Sequence, residues 1–232
     1  MKRTYLTAAT VLAAIFATGA YADGSEAIAI ISGSENGDRF YMGSVRQDLD
    51  QVEGGLRLRF DVINGTYPTD YDATSGEGTY GEYRLLLSYT HSLSASADLT
   101  LSGGVNQWTL EVRPDTLSSP ADESETGLFA SVEYFNSDVM GNDLLLIGEY
   151  NSVGPEYLAA SYLFDLNTFS VGPSVDYVLD DDYKRVSFGI AAVVSVSDAV
   201  EFRATVTNGR ETIGSAPAID AVSMQLQAMT SW

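Results

Sequence analysis

Short segments with an apolar residue at every second position, an export-type N-terminus and an aromatic last residue predict the fold class. It is all-β: a single antiparallel up-and-down transmembrane β-barrel of about twelve strands, or ten if the first two segments do not pair. The last segment shows the pattern best. From 219 onward Val222, Met224, Leu226, Ala228, Thr230 and Trp232 share one face, and Ala221, Ser223, Gln225, Gln227, Met229 and Ser231 share the other. A strand repeats every two residues, so this is one apolar and one polar face. The chain stops on Trp232, as the closing strand of a bacterial outer-membrane barrel does when it carries the signal for the barrel-assembly machinery.

The N-terminus reads as a secretory signal peptide over 1–22. Lys2 and Arg3 open it, an apolar run follows over 5–16, and Ala20-Tyr21-Ala22 is a small-x-small cleavage site. That run is shorter than the roughly 20 residues a spanning helix needs. The barrel domain is then 23–232, long enough to bury a core. Removing Lys2 and Arg3 takes the net charge from −20 to −22, a balance that excludes generic nucleic-acid binding. The chain has no Cys, so disulfides, thiolate chemistry and lipid attachment at a mature N-terminal Cys are excluded. Its 14 Tyr and 9 Phe suit the aromatic girdles of a membrane barrel.

Taken in order, strands are predicted over 26–32, 39–47, 54–64, 80–91, 98–112, 127–136, 143–152, 156–165, 168–179, 183–195, 200–207 and 219–232. The segment over 54–64 places Leu56, Leu58, Phe60 and Val62 on one face and Arg57, Arg59 and Asp61 on the other. The segment over 80–91 aligns Tyr83, Leu85, Leu87 and Tyr89, with a tyrosine at each end. Pro173 lies on the apolar face of its segment and lacks a ladder donor, so a bulge or irregularity is expected there. Asn36-Gly37, Gly154-Pro155, Leu166-Asn167 and the acidic run Asp180, Asp181, Asp182 mark tight turns. Long polar loops are expected over 65–78, 113–125 and 208–217. If the N-terminus lies on the periplasmic side, all three fall on the external side and the periplasmic turns are all short.

A barrel wall in lipid cannot solvate charge, so the strand charges must point inward. Arg57, Arg59, Asp61, Arg84, Glu133, Glu149, Asp176, Glu201 and Arg203 are therefore the candidate lumen network. Opposite charges there predict a narrowed, ion-paired interior. Catalytic chemistry is poorly represented. His91, the sole histidine, is followed by Ser92-Leu93-Ser94-Ala95 rather than the sequence an outer-membrane lipid hydrolase uses. Pairs such as Glu133 with Glu149 or Glu201 have no spacing that singles out a glycosidase. Asp180, Asp181 and Asp182 lack the spaced ligands of a dedicated Ca²⁺ loop and read as a solvated turn. No cofactor and no metal are expected.

The mature chain also resembles a family, the bacterial cellulose biosynthesis protein BcsS. The resemblance rests on Tyr41-Met42-Gly43, on Gly54-Gly55-Leu56-Arg57-Leu58-Arg59 with Tyr67 and Tyr71, and on Pro114-Asp115 with Gly127 and Glu133. It is most specific from Tyr157 and Tyr162 through Ser170-Val171-Gly172-Pro173 to Asp182-Tyr183 and Gly189. The family has Glu after the Gly-Pro and Arg four residues past the Tyr; Ser174 and Ser187 stand there instead. The resemblance implies a non-enzymatic outer-membrane protein accessory to cellulose production or secretion. Its partners would be outer-membrane lipid, the assembly machinery and cellulose or components of its secretion. The reading without the family is a small general porin, with a lipid hydrolase behind it.

Overall fold

The computed structural model describes residues 24–49, 55–71, 74–113, 123–181, 183–213 and 218–231. The expected signal peptide over 1–22 and Trp232 lie outside them. Twelve strands form: β1 (Ser25–Ser34), β2 (Arg39–Asp48), β3 (Leu56–Tyr71), β4 (Thr74–Ser94), β5 (Ala97–Arg113), β6 (Glu123–Asn136), β7 (Asp143–Asn151), β8 (Glu156–Asp165), β9 (Ser170–Leu179), β10 (Tyr183–Ser197), β11 (Val200–Ile213) and β12 (Ile219–Ser231). Each pairs antiparallel with its sequence neighbours, and β12 returns to β1 from Glu26↔Ser231 to Ser34↔Ser223. The closure leaves no sheet edge unpaired, so every wall strand has a partner on both sides.

The alternation read from sequence sorts the residues between outside and inside. Leu128 and Phe188 on the outer wall are 64% and 65% exposed, whereas Asp61 and Glu82 are 0% and 3% exposed. A water-soluble domain has the opposite arrangement; an apolar band outside and charges inside suit a hydrocarbon surround. With the N-terminus taken as periplasmic, Tyr150 stands on the outer wall toward the external end of β7, and Tyr83 at the external limit of the apolar face of β4. Tyr89, Phe164 and Phe202 stand there toward the opposite ends of β4, β8 and β11. Aromatic rings at both levels match the two interfaces of a bilayer.

Two expected loops are corrected, and most of the third, 114–122 of 113–125, lies outside the described residues. Much of 65–78 is strand, because the β3–β4 ladder continues through Gly65↔Tyr80 and Tyr67↔Gly78 to Tyr71↔Thr74. A Cβ at Gly65 would fall inside the Tyr80 ring, and one at Gly78 inside the Tyr67 ring. Each glycine thus lies under a cross-strand tyrosine, which restores the packing a bare glycine lacks. Residues 208–213 are also strand, paired with β10 up to Tyr183↔Ile213, and Glu123 and Glu125 belong to β6. Among the described residues, the extra chain expected on the external side is therefore wall. The rim is uneven as a result. β3 continues five residues past Thr66, its last partner on β2, whereas the β7–β8 ladder ends at Glu149↔Tyr157.

Pro173 produces a gap without a shift. Ser161↔Ser174 and Phe164↔Val171 keep one register across β8–β9, and the pairs between them drop out of the ladder. True shifts occur near the periplasmic turns, at Ser92/Ser94 and Ser195/Ser197.

Candidate functional site

The candidate site is the lumen, where contacts join strands that are not neighbours in the wall. One register row runs Ser44, Asp61, Arg84 and Asn106 across β2 to β5, and all four are buried. Beside them Glu82 projects from β4 on the same face as Arg84. Its carboxylate accepts Arg84 Nε at 2.8 Å and Arg84 Nη2 at 3.0 Å, a two-point contact that fixes the guanidinium plane. It also accepts Asn106 Nδ2 at 2.9 Å and Asn151 Nδ2 at 3.1 Å. Asn106 donates again to Asn151 Oδ1 at 2.8 Å. The third nitrogen of Arg84, Nη1, reaches Glu149 Oε2 at 3.4 Å, and its guanidinium carbon lies 4.0 Å from the centre of the Phe129 ring. β4 and β7 are separated by two strands, so Glu82–Asn151 and Arg84–Glu149 cross the interior. Arg59 Nε donates to Asp61 Oδ1 at 2.8 Å within the same layer. Low dielectric strengthens each bond, and each unmade bond would cost as much more.

A second layer lies nearer the periplasmic end. Arg46 Nη1 is 3.2 Å from Glu26 Oε1, and Nη2 reaches Glu133 Oε2 at 4.0 Å across from β2 to β6. Arg57 pairs with Asp48 at 2.6 Å and with Glu26 at 3.6 Å. Arg46 and Arg59 are register partners, and their like charges are tolerable because each has its own acid. Two clefts of about 320 Å³ and 330 Å³ open at this end, one lined by Glu201, Asp198 and Met229, the other by Glu26 and Arg57.

The far wall is built differently. Ala159, Ser161, Gly172, Ser187 and Ala191, on the inward faces of β8 to β10, are small. Arg203 donates to Ser161 Oγ at 2.9 Å, and Arg185 reaches Asp176 at 3.5 Å.

Of the candidate charges, the structure joins Arg59 with Asp61 and Arg84 with Glu149. Arg57 meets Asp48 and Glu26 rather than the acids of β6 to β11. Glu133 and Asp176 face Arg46 and Arg185, neither of them on the sequence-derived list. Glu201 lines the periplasmic cleft, and Arg203 bonds to a hydroxyl. Sequence reasoning missed Glu82, the acceptor at the centre of the layer. Its signal was available: it sits two residues from Arg84, on the same face of the same strand. Asn106 and Asn151 had no such signal, because an uncharged amide on a strand does not announce its direction. His91 pairs with Leu99 on the outer face and lies beside Tyr89, ring centres 6.4 Å apart, outside the lumen.

No family model and no curated protein matches the chain. Solved structures do. The translocator domain of the autotransporter NalP from Neisseria meningitidis overlays with a TM-score of 0.53 at 12% identity, over 97% of this chain and 94% of that one. A deltaS2 mutant of the TodX monoaromatic hydrocarbon channel gives 0.53 at 8% identity, over 96% and 93%. The KdgM porin gives 0.48 at 8%, over 89% and 99%. At these identities the likeness is one of fold, that of outer-membrane β-barrels.

Proposed function

We propose that the protein is a non-enzymatic outer-membrane barrel, accessory to the production or secretion of cellulose or a related exopolysaccharide, with a lumen shut by ion pairs. The observation that carries the closed lumen is the buried layer of Glu82, Arg84, Asn106, Asn151 and Glu149, which spans from β4 to β7. A diffusion channel needs a continuous wet path at that level. The accessory role is supported by the BcsS-like residues, which hold structural positions here. Tyr162 donates to the Val139 carbonyl at 2.9 Å and accepts from Asn142 at 3.0 Å, fastening the turn between β6 and β7. A Cβ at Gly172 would strike the Tyr162 carbonyl, and one at Gly189 the Val206 carbonyl, so both glycines permit close strand approach. Ser174 and Ser187 replace that family's Glu and Arg, yet a pair of the same signs stands two residues away, Asp176 and Arg185.

The test is deletion of the gene with measurement of extracellular cellulose. A fall in cellulose at normal cell growth is the expected result. Unchanged cellulose, with loss of small-solute uptake, would favour the second reading, a small channel. The periplasmic clefts are the feature that favours that second reading.

A further inference from the structure

We infer that the turn between β7 and β8, residues 152–155, is a strap that folds onto the lumen wall and holds the central layer shut, a device that rests on the closed-lumen reading above and deepens it. The rim is lowest at this turn. β6 runs outward from Phe129, its last partner on β7, through Glu123–Leu128, whereas β7 stops at Asn151. The turn does not climb beside that extension. Ser152 donates its N–H to the Leu128 carbonyl at 3.0 Å and accepts the Leu128 N–H on its hydroxyl at 2.8 Å, which anchors the start of the turn. From there it lies against the lumen face of β6. Gly127 shares that face with Phe129, whose ring meets the Arg84 guanidinium. A Cβ at Gly127 would come within 2.7 and 2.8 Å of the Val153 methyls. A Cβ at Gly154 would lie 2.7 Å from the Asn151 amide nitrogen and 3.6 Å from the ring of Trp108, the inward-facing register partner of Glu82. Bare backbone at 127 and 154 thus lets the turn lie close on the wall.

One side chain joins the strap to the layer beneath it. Asn151 is 4% exposed, and a primary amide can accept on its oxygen and donate from its nitrogen at once. Its Oδ1 accepts the Val153 N–H at 3.1 Å, from the strap, and Asn106 Nδ2 at 2.8 Å, from the layer. Its Nδ2 donates to Glu82 Oε1 at 3.1 Å, the same oxygen that holds Arg84 Nε. The backbone of the turn and the acceptor at the centre of the layer are therefore fixed by one amide. Lifting the turn takes a donor from Oδ1 and uncovers the amide pair, so strap and layer loosen together. Ser152 is exposed, so the strap can be reached from the rim while its hold lies inside. Asn151 acts as a positioning residue: it closes the lumen through Glu82 and Val153.

The experiment reads single-channel conductance of the full barrel in planar bilayers, with heat-modifiable migration to identify variants that still form it. Gly127→Val pushes the Val153 methyls off β6 without removing a bond of the layer, and Asn151→Ala cuts the tie from below. Each is expected to raise conductance several-fold over wild type; Gly127→Ala serves if Gly127→Val does not form the barrel. The chain has no Cys, so Gly127→Cys/Val153→Cys makes a single bridge, and the Val153 methyls already stand within disulfide reach of position 127. Oxidised, the pair is expected to return Asn151→Ala to the wild-type level, and reduction to open it again. Wild-type conductance in barrel-forming Gly127→Val and Asn151→Ala would overturn the strap. So would an oxidised pair that leaves Asn151→Ala open, because the layer would then close the lumen unaided. Porin-like conductance in the wild type would instead defeat the closed lumen itself, so the two readings fail by different traces.

Discussion

At the residue scale, Glu82 sets the interior. Its two oxygens take four donations, from Arg84, Asn106 and Asn151. Replacing it with Ala leaves a buried guanidinium with the 3.4 Å contact to Glu149 and the Phe129 ring, and takes an acceptor from Asn151 Nδ2, while Asn106 keeps its bond to Asn151 Oδ1. Breaking a buried pair from one side costs about 3–5 kcal/mol. Glu82→Ala is therefore expected to lower the temperature of the heat-modifiable shift well below that of wild type, and Glu82→Gln to lower it less, because the amide oxygen still accepts. Equal stability of Glu82→Ala and wild type would remove the carboxylate from the centre of the network. Arg57 provides the contrast. It is a third exposed and its acids sit near the periplasmic mouth, so Arg57→Ala should cost about 1 kcal/mol or less. Charge on the polar face of a strand was legible in the sequence at both arginines. Which acid each would meet was not, because that depends on how far round the barrel its side chain reaches.

At the element scale, the strands themselves were readable wherever apolar residues alternate, and twelve segments of about the observed limits follow from that pattern. Their external ends were not. β3 and β4 run beyond the apolar band into polar sequence, where the period-2 signal disappears while the backbone ladder continues. The Tyr–Gly pairs across Gly65↔Tyr80 and Tyr67↔Gly78 hold this extension. Tyr80→Ala uncovers Gly65, and the polar ends of β3 and β4 are expected to become several-fold more sensitive to limited proteolysis on intact cells, with the barrel retained. Unchanged cleavage there would mean that the backbone ladder alone suffices. The irregularity at Pro173 was foreseen from its missing N–H, but its form as a gap in constant register depends on Gly172 letting β8 approach.

At the scale of the whole molecule, an apolar wall around a charged interior leads to two expectations about the cell and the bilayer. The protein should fractionate with the outer membrane, and deletion of Trp232 should reduce the amount assembled while synthesis continues; recovery in the soluble periplasm would defeat the membrane reading. In planar bilayers the wild-type barrel should conduct far less than a general porin, and Arg84→Ala/Glu149→Ala should raise single-channel conductance several-fold by emptying the central layer. A wild type with porin-like conductance, unchanged in the double variant, would show that the layer does not close the lumen. The fold class and strand order were legible because the same alternation repeats all round the chain. The central hydrogen-bonded layer was not, since it depends on amides as much as on charges. The central bonds also tie β4, β5 and β7 together, whereas β12 meets its neighbours chiefly through the backbone ladder. Mechanically the barrel is a cylinder braced on one side. Pulled out of a membrane from its C-terminus by a force probe, it should yield in small steps through β12 to β8 and then resist with one large peak at β7, where the braces must all part together.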